Sequence, residues 1–232
     1  MKTTLLVITF NEINGMKQIM PRIKREWVSE IIVVDGGSTD GTVEYAEKNG
    51  YKVYVQKKKG LRHAYKEVFP LVKNDYVVTF SPDGNSIPEA IPDLIKKIKE
   101  GFDMVIASRY LDHAKSQDDD IITRFGNWLF TKIINSLFQG TFTDSLVMFR
   151  IYKKSLFYEL KIDNEESYNM EKWYLTTMGI EPLLSTRCAK YGKTYTEIPV
   201  DEPKRIGGER KLQIFRWGLA FLTQIIKEKI NK

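Results

Sequence analysis

A single cysteine, Cys188, and two histidines, His63 and His113, are all that a chain of 232 residues contains of those two types. One thiol excludes an internal disulfide framework, and so few Cys and His exclude a structural zinc site built from them. Chemistry therefore falls to carboxylates, amides, hydroxyls and cations. Long apolar runs are also missing. The N-terminal TTLLVIT gives way to a polar loop before it reaches the length of a signal core or a membrane span, so the catalytic part is expected to stay in the cytoplasm. Neither an internal repeat nor a low-complexity segment occurs.

What is present is ordinary globular material: 42% hydrophobic, 12% aromatic and 28% charged residues, enough to bury one large core. The net charge of +6 is unevenly placed, because Lys204 to Lys232 holds eight basic and two acidic residues and the remainder is balanced. Short β-branched runs at residues 3–9, 30–35, 52–56, 75–81 and 103–108 alternate with helical stretches near 16–26, 42–49, 61–73 and 88–100. This alternation predicts an α/β fold with parallel strands and crossover helices, whose ligand crevice lies beyond the strand ends. The loops there read NEING, DGGSTDGT, SPDGNS and SRYLD.

The pattern is less regular after Tyr110. An acidic SQDDD loop precedes a long apolar helix ending near 138; a strand-like LVMFRIY (146–152), helices near 153–160 and 168–178, and a turn-rich stretch to Pro203 follow. In the final segment Leu212, Phe215, Leu219, Leu222, Ile226 and Ile230 recur at helical spacing, interrupted by Arg216, Lys227 and Lys229. This predicts an amphipathic helix, either docked on its own domain or lying in a membrane interface, for which Trp217 and the cations are suited. Residues 124–138 are a second candidate for lipid contact, and nothing in the chain points to nucleic acid.

Two loops carry the candidate chemistry. Asp35-Gly36-Gly37-Ser38-Thr39-Asp40-Gly41-Thr42 lets a ligand approach the backbone closely but lacks dinucleotide or P-loop spacing; it reads equally as a tight turn with Asp40 or Thr42 capping the next helix. Asp83 in SPDGNS, with Asn85 two residues on, offers hard oxygen ligands suited to Mg²⁺ or Mn²⁺, or is simply a turn residue.

Taken in order, TFNE (9–12), VVDGGSTDGT (33–42), GLRHA (60–64), SPDGNSIPE (81–89), ASRY (107–110), DSLVMFR (144–150) and EIPVDEPKRIGGERKL (197–212) resemble glycosyltransferase family 2, in particular its polyprenyl-phosphate branch such as the dolichol-phosphate mannose synthases. The resemblance implies a GT-A, Rossmann-like, mixed but mainly parallel sheet over 1–204, followed by a basic segment and a membrane-interface helix over 205–232. It implies an inverting transfer of a hexose from a GDP- or UDP-sugar to polyprenyl or dolichyl phosphate by an enzyme attached peripherally to the cytoplasmic membrane face.

Carried over by position, Thr9, Asn11, Glu12, Asp35, Gly37, Ser38, Asp40, Gly60 and Asp83 would bind the nucleotide sugar, while Asp83 and Asn85 would hold a divalent cation, Mg²⁺ or Mn²⁺. Asp83, Arg109, Arg124 and Asp144 would serve catalysis, with Arg124, Arg205 and Lys211 on the acceptor phosphate. Departures from the family pattern are Ser81 and Asn85, where Asp and Gln are common, Gly36 in place of a second Asp, Val147-Met148 in place of Ser-Gly, and Arg210 in place of Ser.

Two other readings remain open at this level. A saccharide or lipid-linked glycan hydroxyl could be the acceptor, with Asp144 as general base, or the chain could be a degenerate nucleotide-sugar binding module. Oligomeric state is open.

Overall fold

A computed structural model describes residues 1–207 and 213–231. Seven strands form one sheet: β1 (Thr3–Thr9), β2 (Glu30–Asp35), β3 (Lys52–Val55), β4 (Tyr76–Phe80), β5 (Met104–Ser108), β6 (Arg150–Lys153) and β7 (Tyr195–Pro199). Their order is β3-β2-β1-β4-β6-β5-β7, and only β6 runs antiparallel to its neighbours. The chain builds outward from β1 to β3, then returns to place β4 on the other side of β1. That reversal opens a crevice between the C-terminal ends of β1 and β4, where ligands bind in such sheets.

Both faces of the sheet's centre are covered, which is why β1, β2, β4 and β5 read as continuous apolar runs. Leu5, Val7, Val33, Val78 and Phe80 point to the layer of α1 (Ile13–Ile19), α2 (Thr42–Lys48) and α4 (Ile91–Ile98). Leu6, Ile32, Val34, Val77 and Ile106 point to the opposite layer, formed by α3 (Leu61–Val68), α5 (Ile121–Phe138), α6 (Lys154–Glu159), α7 (Glu171–Tyr174), α8 (Glu181–Lys190) and α9 (Ile214–Ile230).

The structure corrects the expected pattern in four places. The strand expected over 146–152 begins only at Arg150, as β6. Residues 195–199 form β7, an edge strand whose residues are all half-buried, so no apolar run marks it. Within the same expected turn-rich stretch, α8 is buried along Glu181–Cys188 and shows no polar face from which a helical period could be read. The expected helix over 168–178 shrinks to α7, because Leu175 adopts φ 48° and ends it.

The C-terminal helix has two apolar faces. Ala220, Phe221 and Ile225 dock against the core, whereas Phe215, Leu219, Leu222, Ile226 and Ile230 stay exposed. Thus the stripe read from the sequence is, from Phe215 on, the outward one; Leu212 lies outside the described residues. No helix among the described residues is long and apolar enough to cross a membrane.

Buried ions tie α9 to α8. Arg187 Nε donates to Glu228 Oε1 at 3.0 Å, and Lys190 Nζ lies 3.1 Å from Oε2. Burial works against the Glu228 carboxylate, but Arg187 and then Lys190 outweigh it and hold its pKa below the usual value. A depressed carboxyl contributes stability above its unfolded-state pKa and loses it as pH falls through the folded one. Glu228→Gln should therefore lower the thermal midpoint at neutral pH and flatten its decline below about pH 4.5, where glutamate ordinarily titrates. Parallel pH profiles for the two proteins would refute this coupling.

Candidate active site

The crevice between β1 and β4 is a cavity of about 920 Å³. Thr9 and Glu12 from the end of β1, and Ser81 and Asp83 from the end of β4, line its sheet side; Gly60, Leu175 and Trp217 stand among the residues opposite. Glycine is required at position 60: φ is 114°, and a Cβ would sit 2.5 Å from the Thr177 side chain.

The DGGSTDGT loop is organised from within. Register places Thr9 beside Asp35, and the Thr9 hydroxyl donates to Asp35 Oδ2 at 3.0 Å. Asp35 is fully buried and also accepts from the Gly37 and Ser38 amides at 2.8 and 2.7 Å and from the Ser38 hydroxyl at 2.6 Å. Asn11 accepts from the Thr39 amide at 2.9 Å, and its own amide donates to Ser38 at 2.7 Å. Asp40 holds the Thr42 hydroxyl at 2.6 Å and the Ile13 amide at 3.0 Å. These contacts shape the loop, and Thr9, Glu12 and Gly36 are among the residues that line the cavity.

Asp83 reaches the cavity but is largely buried, and that burial pushes its carboxyl above the usual aspartate range against the opposing pull of Arg205. A short segment closes over it: the Ile206 amide donates to the Asp83 carbonyl at 2.8 Å, and Arg205 Nη1 lies 3.7 Å from Asp83 Oδ2. Gly84 makes that approach possible, since a Cβ there would meet Ile206 at 2.5 Å. Asn85 turns its amide to Glu202, 3.3 Å away.

Arg109 and Asp144 meet across 35 residues, but outside the cavity lining. Arg109 Nε and Nη2 donate to the two oxygens of the fully buried Asp144 at 2.6 and 3.0 Å, and Nη1 reaches Asp119 and Glu202 at 3.2 Å each. Burial works against the charge on Arg109, yet the three carboxylates, Asp144 foremost, raise its pKa well above the ordinary value. Burial likewise pushes Glu202 upward.

The exposed Arg124 donates to the Ser116 carbonyl at 3.2 Å and does not line the cavity either. Of the cations assigned to phosphate, Arg205 lines the cavity, and Lys211 falls outside the described residues. The carboxylates of the SQDDD loop and Glu202 were not anticipated as site residues; their adjacency to the arginines depends on contacts of up to 93 residues' separation.

The family model for glycosyl transferase family 2 matches residues 4–161, more than half of the chain. The chain belongs to glycosyltransferase family 2. Among its relatives, the dolichyl-phosphate hexose transferase of Haloferax volcanii is 28% identical over 221 residues, covering 94% of this chain and 90% of that protein. The undecaprenyl-phosphate mannosyltransferase of Micrococcus luteus is 28% identical over 255 residues and is matched along its whole length. Glucosyl-3-phosphoglycerate synthase of Mycobacterium tuberculosis, crystallised with Mn²⁺, UDP and phosphoglyceric acid, superposes with a TM-score of 0.71 at 17% identity, over 98% of this chain and 78% of that one. The transferase therefore has the GT-A fold expected from its sequence, with the cavity at the strand ends.

Proposed function

We propose that this family 2 enzyme transfers a hexose, with inversion, from a nucleotide sugar to a polyprenyl phosphate at a membrane surface. The observation that carries the acceptor class is the fate of Asp144. Transfer to a sugar hydroxyl needs a general base, and that role fell to Asp144. Here its carboxylate is fully buried, bound by both prongs of Arg109 and set away from the cavity. A phosphate acceptor is already ionised at neutral pH and attacks the anomeric carbon without such a base. The relatives named for polyprenyl-phosphate acceptors support the same reading.

In this account Glu12 and Thr9 receive the nucleoside end of the donor, and Arg205 offers charge-assisted hydrogen bonds to phosphate. Asp83 and Ser81 are hard oxygen donors on the cavity wall, and the Asn85 backbone amide donates to Asp83 Oδ1 at 3.3 Å. No group of three acidic, His or Cys residues suited to a metal occurs among the described residues. The donors fit Mg²⁺ or Mn²⁺ held by one carboxylate and completed by substrate phosphates, as Mg²⁺ commonly is. When bound, such a cation supplies neutralising charge to the diphosphate leaving group.

Exposed Ile121, Ile122, Phe125 and Trp128 on α5, together with the outward face of α9, form the proposed membrane contact. The two helices pack against one another, and the exposed Arg216 and Lys229 suit anionic headgroups. Replacing Phe215 and Leu219 together by serine should reduce sedimentation with anionic vesicles by at least about tenfold, given what one buried large apolar side chain contributes. Unchanged sedimentation would remove α9 from the contact.

The direct test supplies purified protein with a GDP- or UDP-hexose, Mg²⁺ or Mn²⁺, and either a short polyprenyl phosphate or a free saccharide. An acidic glycolipid is expected from the first acceptor; preferential use of the saccharide would overturn the proposal.

A further inference from the structure

The proposed transfer assigns no task to the SQDDD loop (116–120) before α5, yet its three carboxylates are each engaged. Asp120 caps α5 by accepting from the Thr123 amide at 2.8 Å. Asp119 accepts from Arg109 Nη1 at 3.2 Å and from the Tyr110 hydroxyl. Asp118 binds Arg205, with Nε to Oδ1 at 3.2 Å, Nη2 to Oδ2 at 2.8 Å, and the Arg205 backbone amide to Oδ1 at 3.2 Å.

The two segments are fixed in register. Ser116 bridges Glu202 in parallel, the Glu202 amide donates to the Lys115 carbonyl at 2.9 Å, and the Gln117 amide donates to the Glu202 carbonyl at 2.8 Å. Asp118 is therefore carried to Arg205 by backbone pairing, not by a chance surface encounter.

Geometry separates positioning from blocking. Arg205 lines the cavity and Asp118 does not, and the carboxylate takes the Nε and Nη2 edge of the guanidinium. It uses Nε and one Nη2 proton; Nη1, 3.7 Å from Asp83 Oδ2, is left on the cavity side. A free arginine side chain loses much rotational freedom on binding an anion, whereas a guanidinium already clamped on one edge loses little.

We propose that Asp118 is a positioning residue that holds the Arg205 guanidinium with Nη1, on the Asp83 side, presented to a phosphate group in the cavity. This rests on the reading of the cavity as the donor and acceptor site. The phosphate is either the donor diphosphate or the acceptor phosphomonoester, and the experiment distinguishes them.

The test is a double-mutant cycle on binding. Affinities for GDP and UDP with Mg²⁺, and for a short polyprenyl phosphate in detergent, are measured for the wild type, Arg205→Ala, Asp118→Asn, Asp118→Glu and the double variant Arg205→Ala/Asp118→Asn. Arg205→Ala should weaken one class of ligand about tenfold or more, which names the phosphate it serves. Asp118→Asn should weaken that same class about fivefold and add less than about twofold once Arg205 is gone, while Asp118→Glu should recover most of the loss.

A purely structural role for Asp118 would weaken every ligand and persist in the Arg205→Ala background. That result, or full affinity in Asp118→Asn, overturns the positioning role and leaves the proposed transfer standing. If Arg205→Ala changes neither ligand class, Arg205 is no phosphate ligand and the inference falls with it.

Discussion

Asp83→Asn is expected to lower kcat/KM for transfer on the order of a thousandfold while leaving the thermal midpoint unchanged or slightly higher. The substitution keeps the shape of the side chain and removes its charge. Asp83 is the cavity carboxylate at the end of β4, beside Ser81, and in the proposed mechanism it is the charged ligand of a diphosphate-bound cation. In the proposed mechanism its loss removes transition-state stabilisation, and the nearby Glu202 is committed to Arg109, Asn85 and the Ser116 hydroxyl.

Stability should move the other way because burial raises the Asp83 pKa. A carboxyl whose folded pKa exceeds its unfolded one binds more protons in the native state, so stability falls as pH rises between the two values, and the loss persists at neutral pH. The neutral amide removes that cost. Steady-state kinetics and thermal unfolding on the same preparation check both halves. Activity within about tenfold of wild type would remove Asp83 from the centre of the mechanism.

Arg109→Ala should act through the fold. The Asp144, Glu202 and Asp119 side chains are all largely or wholly buried, and the Arg109 guanidinium contacts all three. Breaking a buried ion pair by deleting one partner typically costs about 3–5 kcal/mol, because a charge is left in a poorly solvated place. For a domain of this size each kcal/mol moves the midpoint by about 2–4 °C, so a fall of about 10 °C is expected. Arg109→Lys should recover only part of it, since an ammonium cannot reproduce the two-pronged contact with Asp144. Urea unfolding measures the difference. A variant within about 1 kcal/mol of wild type but inactive would instead put Arg109 in contact with ligand.

The contrast between these two residues shows what a linear sequence conveys. Asp83 is legible because its role depends on one local fact, a carboxylate directly after an apolar strand. Arg109 and Asp144 are each recognisable from a family motif, but their mutual capture depends on the fold bringing two loops together, and spacing carries no record of that. Asp35 is an intermediate case: the loop is legible, whereas the inward turn of its carboxylate toward Thr9, Gly37 and Ser38 is set by strand register.

The same division holds for the fold. β1, β2, β4 and β5 announce themselves because strands covered on both faces must be apolar throughout. α8 is hidden because burial along most of its length erases the polar face that would reveal a period, and β7 because a half-buried edge strand has no run to see. In α9 the visible stripe is the exposed one, and the docking face, Ala220, Phe221 and Ile225, emerges only against α5 and α8.

The central claim, transfer of a hexose to a lipid phosphate, is tested most directly by the chemical structure of the product. Mass spectrometry and NMR of lipid recovered from a reaction with a GDP- or UDP-hexose and a short polyprenyl phosphate should show one hexose added through the phosphate, with the anomeric configuration inverted relative to the donor. A hexose attached through a hydroxyl, or donor consumed with no change in the lipid, would contradict it.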